Sequence, residues 1–138
     1  MSKRFLQIIN AIIAIMTIVL ASMSMLYGVS SPIYEHGTIP MIPALDSNLR
    51  FFGGLGLGLG LALLWLTPNI ERQTILFRSL WIAAMLGGIG RIISMYIIGF
   101  PPEPMIIFTF IEVPLAPILI YWQWKISKKL PKFETKHP

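Results

Sequence analysis

Among the charged residues inside or at the edge of the long apolar stretches of this sequence, three could form a binding site. Arg50 closely follows Asn48, Arg91 lies in the stretch GIGRIIS, and Glu112 lies in IEVP. A guanidinium group binds carboxylates and phosphates through a planar fork of N–H donors. Two arginines and one carboxylate leave a surplus positive charge, which favours binding of a lipid phosphate. A purely structural ion pair is the competing interpretation.

The glycine-rich segment GGLGLGLGLALLWL, residues 53–66, raises a second possibility for chemistry. A dinucleotide-binding loop requires G-x-G-x-x-G between a strand and a helix, and leucine occupies the third glycine position here. On a helix, the alternating glycines fall on two roughly opposite faces, one with Gly54, Gly58 and Ala62 and the other with Gly56 and Gly60. Both are small-xxx-small patterns, which let neighbouring backbones approach closely. We therefore expect this helix to pack between two partners. The predicted packing residues are Gly54, Gly56, Gly58, Gly60, Gly87 and Gly88.

The composition excludes several classes of protein. Of the 138 residues, 55% are hydrophobic and only 12% are charged, whereas a soluble domain has about a quarter of its residues charged. The chain has no cysteine, so disulfides and thiol chemistry are excluded. Glu35 and His36 are adjacent, but a metal site needs three or four ligands. We predict no catalytic residue, no metal site and no cofactor.

Four apolar stretches are long enough to cross a hydrocarbon core of about 30 Å, which takes about 20 residues. They cover residues 5–27, 48–67, 75–98 and 105–124. A lone strand would leave its backbone groups unpaired in lipid, so the glycine segment is predicted to be helical. The first stretch exceeds the 7–15 apolar residues of a signal peptide. We predict an all-α polytopic membrane protein, a four-helix bundle with residues 1–138 as one transmembrane domain.

The positive charges indicate the orientation of this bundle. Nine of the eleven lysines and arginines lie near one end of it, and the loops 28–47 and 99–104 contain none. The nine are Lys3, Arg4, Arg72, Arg78, Lys125, Lys128, Lys129, Lys132 and Lys136. The positive-inside rule predicts that both termini are cytoplasmic. The basic tail, residues 125–138, then contacts anionic lipid rather than nucleic acid.

The depth of each polar residue below the outer end of its predicted helix indicates which of them meet in the membrane. Arg91 and Glu112 each lie about two turns inside the outer ends of their predicted helices. We expect them within direct or one-water reach, with Arg50 and Asn48 on the same outer rim. Pro114 and the following proline remove helix hydrogen bonds beside Glu112, which predicts a kink there.

Several of these elements resemble a known family. NLRFFGG at residues 48–54, GIGRIIS at 88–94 followed by GFPP, and IEVP around Glu112 are similar to small four-helix bacterial membrane proteins that are catalogued only as a domain of unknown function. The similarity covers roughly residues 1–127 and extends to a trimeric inner-membrane protein. The resemblance implies a bacterial inner-membrane homotrimer, lipid contact, and a role in envelope integrity and low drug permeability. It implies no catalytic residues.

Three functions remain open at this point. The first is a non-enzymatic homo-oligomer, a trimer by resemblance, that binds phospholipid and supports the envelope barrier. The second is an accessory or assembly subunit of a larger membrane complex, in which the small-residue faces meet a different protein. The third is a small transporter or intramembrane enzyme that uses Arg50, Arg91 and Glu112.

Overall fold

The computed structural model describes residues 2–34, 39–101 and 103–128, and this part of the chain is helical and contains no strand. The helices are α1 (Lys3–Tyr27), α2 (Pro43–Leu66), α3 (Thr74–Ile97) and α4 (Glu103–Ser127). Each contains a stretch long and apolar enough to cross a membrane. The predicted all-α class, with four helices long and apolar enough to span a membrane, is confirmed.

The helix bounds differ from the predicted spans chiefly at the start of α2. This helix begins at Pro43 rather than near residue 48. Proline suits the first turn of a helix because its fixed φ is helical and its missing N–H would be unpaired there. Asp46 lies in the same turn, where the helix dipole favours a negative charge. The polar turn before the apolar run is therefore helical.

The four helices form two hairpins, in which α1 packs along α2 and α3 packs along α4. The buried hydrophobic residues that join the hairpins lie towards the end that holds the N-terminus, the α2–α3 connection and the end of α4; we call this the closed end. The cluster comprises Leu6, Ala14, Leu63, Leu66, Ile70, Phe77, Trp81, Ala116, Leu119 and Trp122. The opposite end, where α1 and α3 finish, is called the open end.

Glycine allows α1 and α2 to approach closely along one face. A Cβ placed on Gly60 would lie 2.8 Å from Cγ1 of Ile18, and one on Gly56 would lie 3.1 Å from the Cβ of Ala21. A Cβ on Gly53 would collide with the backbone of Met25. The α1-facing stripe therefore consists of Gly53, Gly56 and Gly60. One of the two predicted glycine faces is thus used inside the chain.

The second predicted glycine face is not used within the chain. A Cβ on Gly54 would only reach the sulfur of Met25 at 4.0 Å, and no atom of the described residues lies within 4 Å of one on Gly58 or Gly87. Gly88 differs, because its Cβ would lie 2.6 Å from Cγ2 of Val113 in α4. The packing of α2 between two partners therefore stays a prediction, because the second partner would have to come from another molecule.

A buried amide ties three helices together near the closed end. Asn10 is 0% exposed, and its Nδ2 donates to the carbonyl of Leu63 at 2.9 Å and to Oγ1 of Thr67 at 2.8 Å. Its Oδ1 accepts a hydrogen bond from Nε1 of Trp81 at 3.2 Å. Every polar atom of the amide group has a partner, which is the condition for burying a polar side chain in an apolar core.

A second buried amide holds α4 against the α2–α3 connection. Nε2 of Gln123 donates to the carbonyl of Ile70 and to Oγ1 of Thr74, both at 3.1 Å. Its Oε1 accepts from Nε of Arg78 at 3.2 Å. These bonds and the network around Asn10 together join all four helices at the closed end.

An ion pair reinforces the closed end. Nζ of Lys3 lies 2.7 Å from Oε1 of Glu71, which links the start of α1 to the α2–α3 connection. Burial of Glu71 opposes its ionisation, but the hydrogen bond and the charge of Lys3 hold its pKa below the usual value. The carboxylate is therefore ionised and paired at neutral pH.

Candidate functional site

The predicted contact between Arg91 and Glu112 is present in the structure. Nη1 of Arg91 donates to Oε2 of Glu112 at 3.2 Å. The two side chains are 49% and 34% exposed, respectively, so the pair lies at the surface of the α3–α4 hairpin rather than in its interior. It lies in the half of the hairpin nearer the open end, about two turns or more from the helix ends.

Local packing explains why these two side chains meet. Gly88 precedes Arg91 by about one turn and accommodates Val113, the neighbour of Glu112. Without a side chain at Gly88, α4 approaches α3 at this level and brings the carboxylate to the guanidinium. Any larger residue there would have to displace Val113.

The prolines of α4 do not interrupt the helix. Pro114 and Pro117 both lie inside it, and each removes the N–H that would otherwise bind the carbonyl four residues earlier. The hydrogen bond of Arg91 goes to the Glu112 carboxylate, not to either of these carbonyls. Among the described residues, the carbonyls that the prolines free therefore receive no hydrogen bond from Arg91.

The surroundings of the pair are apolar and uncovered. All residues of α3 from Ile89 to Ser94 are exposed, over more than a full turn, so this segment has no buried face. Tyr96, near the end of the helix, is 93% exposed. The charged pair therefore lies on an exposed part of the hairpin whose other side chains are mostly apolar.

The pair has unused capacity for hydrogen bonds. A guanidinium offers five N–H donors, and a carboxylate offers about four lone-pair sites. The single bond between Nη1 and Oε2 uses one of each. Because an unpaired charge at membrane depth costs about 2.5–3.5 kcal/mol or more, the exposed sides of this pair favour a polar ligand over acyl chains.

Arg50 belongs to a different cluster. Its Nε donates to Oδ2 of Asp46 at 2.7 Å, and its Nη1 donates to the carbonyls of Leu26 at 2.6 Å and Met25 at 3.3 Å. Oδ1 of Asp46 accepts from the backbone N–H of Val29 at 3.0 Å. The guanidinium thus binds the last carbonyls of α1, where the helix dipole favours a positive charge.

Gly28 is required by this cluster. Its φ of 55° is a conformation that side chains other than glycine rarely adopt. A Cβ at this position would also collide with the carboxylate of Asp46. The turn after α1 therefore depends on glycine for both its backbone and its space.

The interpretation of a surplus positive charge is wrong for this structure. Each arginine has its own carboxylate, Asp46 for Arg50 and Glu112 for Arg91. Asn48 is exposed on α2, in the hairpin that contains Arg50 rather than the one that contains Arg91. The predicted set of four residues is thus divided between two hairpins, and only Arg91 and Glu112 form the candidate site.

The described residues contain no group of three or more His, Asp or Glu side chains that could hold a metal ion. Glu35 and His36 lie outside the described residues, as do Lys129, Lys132 and Lys136 of the basic tail.

The described part of the basic tail continues α4, where Lys125 lies over the ring of Tyr121 and Lys128 over the ring of Trp124. These cation–π contacts place lysine and aromatic side chains together, as at a membrane interface.

Comparison with known proteins gives a family and no function. Residues 5–123 match the profile of a family described as a domain of unknown function, DUF4345. No curated protein and no solved structure matches the chain. The matched range includes both arginine–carboxylate pairs and both buried amides, and it covers most of the chain. The protein therefore belongs to the DUF4345 family.

Proposed function

We propose that this chain is a non-enzymatic protein of the bacterial inner membrane that binds phospholipid through Arg91 and Glu112, forms a homo-oligomer and supports the envelope barrier. The observation that carries the proposal is the exposed ion pair between Arg91 and Glu112, within a membrane-spanning hairpin and surrounded by exposed apolar side chains. A phospholipid supplies both kinds of contact, a polar headgroup for the pair and acyl chains for the apolar surface.

An ion pair with a purely structural role would favour a covered position. Asn10 and Gln123 illustrate such a role, since both are fully buried and bonded on all sides. Arg91 and Glu112 are instead joined by one hydrogen bond and remain exposed. This contrast supports a ligand at the pair.

The oligomer is supported by open glycine positions on two helices, Gly58 on α2 and Gly87 on α3. No described atom approaches the position of a Cβ on Gly58 or Gly87 within 4 Å, and small residues of this kind let helices from neighbouring subunits approach closely. The trimeric state and the role in low drug permeability come from the family resemblance.

Native mass spectrometry of the protein extracted from its own membrane tests the proposal. We expect an oligomer that retains phospholipid, and we expect Arg91→Ala to reduce the retained lipid at least tenfold. The matched control is Arg50→Ala, which removes an arginine that already has its own carboxylate and two helix carbonyls. The control should retain lipid at the unaltered level.

Two results would contradict the proposal. A monomer without lipid would remove both of its parts, and equal lipid retention in the two arginine variants would remove the assigned site. A foreign protein bound in fixed stoichiometry after mild solubilisation would instead support an accessory or assembly subunit.

A further inference from the structure

We infer that the ligand of this site is a phospholipid whose headgroup carries a primary ammonium group, with the phosphate on Arg91 and the ammonium on Glu112. The inference rests on the proposed function and specifies the class of lipid. It follows from the charge and the accessibility of the pair.

The charge of the site is balanced before any ligand binds. Glu112 lies 3.2 Å from Arg91, and Arg50, the other arginine of the predicted site, is paired with Asp46. No surplus positive charge is therefore available at the site for an anionic headgroup. A headgroup that is itself neutral overall, with one positive and one negative group, matches a neutral pair.

The accessibility of the pair allows both charges to be used. The guanidinium and the carboxylate lie side by side, and each is partly exposed. A phosphate diester accepts hydrogen bonds from the unused N–H groups of Arg91, while an ammonium donates to the unused lone pairs of Glu112. The two groups of such a headgroup are separated by a short linker, so neighbouring partners of opposite charge can bind them together.

The carboxylate discriminates between headgroups. A headgroup with no positive charge would place only its phosphate on Arg91 and leave Glu112 facing an anion. A quaternary ammonium would meet Glu112 with a favourable charge but without an N–H donor. A primary ammonium supplies both the charge and three N–H donors, and hydrogen bonds between charged groups are stronger than neutral ones.

The apolar part of the lipid has a surface beside the pair. Ile92 is exposed on α3 one residue after Arg91, and Ile89 and Ile93 are exposed further round the same helix. Ile92 can contact an acyl chain while the headgroup binds the ion pair. The site therefore requires an amphiphile rather than a soluble phosphate, and free phosphoethanolamine should compete poorly with the lipid.

The test presents the purified protein with an equal mixture of phosphatidylethanolamine, phosphatidylcholine and phosphatidylglycerol in detergent, and native mass spectrometry counts the lipid bound. We expect phosphatidylethanolamine to exceed each of the others about tenfold, a ratio that corresponds to about 1.4 kcal/mol. Glu112→Gln keeps the shape of the side chain and removes its charge. It should abolish the preference over phosphatidylglycerol while phospholipid still binds through Arg91.

The outcomes separate this inference from the proposed function. Phospholipid binding that depends on Arg91 but shows no headgroup preference, or a preference unchanged by Glu112→Gln, overturns the inference alone. Absence of any binding, or binding unaffected by Arg91→Ala, overturns the proposed function as well. The comparison of headgroups on the unaltered protein needs no variant, so it holds even if Glu112→Gln fails to fold.

Discussion

Replacing Asn10 with alanine should destabilise the bundle more than replacing Gln7, the other amide side chain of α1. The side chain joins α1 to α2 through Leu63 and Thr67, and to α3 through Trp81. Alanine removes all three hydrogen bonds at once. It also leaves the indole N–H of Trp81 in an apolar interior without its acceptor.

The magnitude follows from the number of bonds and their typical strength in membranes. Hydrogen bonds between helices in a membrane protein contribute about 0.6 kcal/mol each on average and up to about 1.7 kcal/mol. Three such bonds give about 2 kcal/mol, to which the small cavity left by the missing amide adds. We expect a loss of about 2–3 kcal/mol in the free energy of unfolding.

The assay is unfolding by sodium dodecyl sulfate in mixed micelles, followed by circular dichroism. Gln7→Ala is the matched control, because Gln7 lies about one turn away on α1 and donates only to the less buried backbone carbonyls of Thr67 and Pro68. It should cost less than half as much as Asn10→Ala. A double-mutant cycle of Asn10→Ala with Trp81→Phe should show coupling of about 0.5 kcal/mol or more. Additive effects, or a larger loss from Gln7→Ala, would refute the reasoning.

Three further predictions concern other parts of the fold. Arg50→Ala should lower the free energy of unfolding by about 1–2 kcal/mol, because it removes the Asp46 ion pair and the cap of α1; unchanged stability in the same micelle assay would contradict the capping role. Gly53→Ala should cost about 1–3 kcal/mol because its Cβ meets the α1 backbone, whereas Gly58→Ala should leave monomer stability unchanged or raised; equal effects would argue against the single α1-facing stripe. The Lys3–Glu71 pair should contribute about 0.2–1 kcal/mol; because the pKa of Glu71 is lowered, this contribution is present above its usual value of 4.5 and is lost as the pH falls through the lower, folded value. Glu71→Gln should remove that part of the pH dependence of unfolding, and an unchanged profile would contradict it.

The helical architecture could be predicted from the sequence because its cause is simple. Long apolar stretches must satisfy their backbone hydrogen bonds within the membrane, and helices do so segment by segment. The contact between Arg91 and Glu112 could be predicted for a related reason. Two opposite charges at similar depth reduce the cost of burial by pairing.

The partner of Arg50 was harder to predict, although a signal was present. Asp46 precedes it by four residues, the spacing at which side chains on one helix face meet. The predicted helix starts at residue 48, which places Asp46 in a loop. Helical spacing therefore gave no reason to pair Asp46 with Arg50. Pro43, suited to the first turn, was the residue that indicated the earlier start.

The buried amides were missed because their signal is weak in isolation. Asn10 and Gln123 are uncharged, and a hydropathy pattern tolerates one amide in an apolar span. Their bonds join residues far apart in the chain, so spacing does not reveal them. Which of the two glycine faces of α2 meets α1 could not be predicted for a similar reason, since it depends on the rotation of the whole helix.

Solid-state NMR between arginine nitrogen and lipid phosphorus tests the central claim most directly. The protein, labelled with ¹⁵N in its arginine side chains, is placed in phosphatidylethanolamine bilayers, and ¹⁵N–³¹P dipolar dephasing of the guanidinium signals is recorded. We predict strong dephasing of a signal that disappears in Arg91→Ala and persists in Arg50→Ala. An Arg91 signal without dephasing would contradict the binding of a phospholipid headgroup at this ion pair.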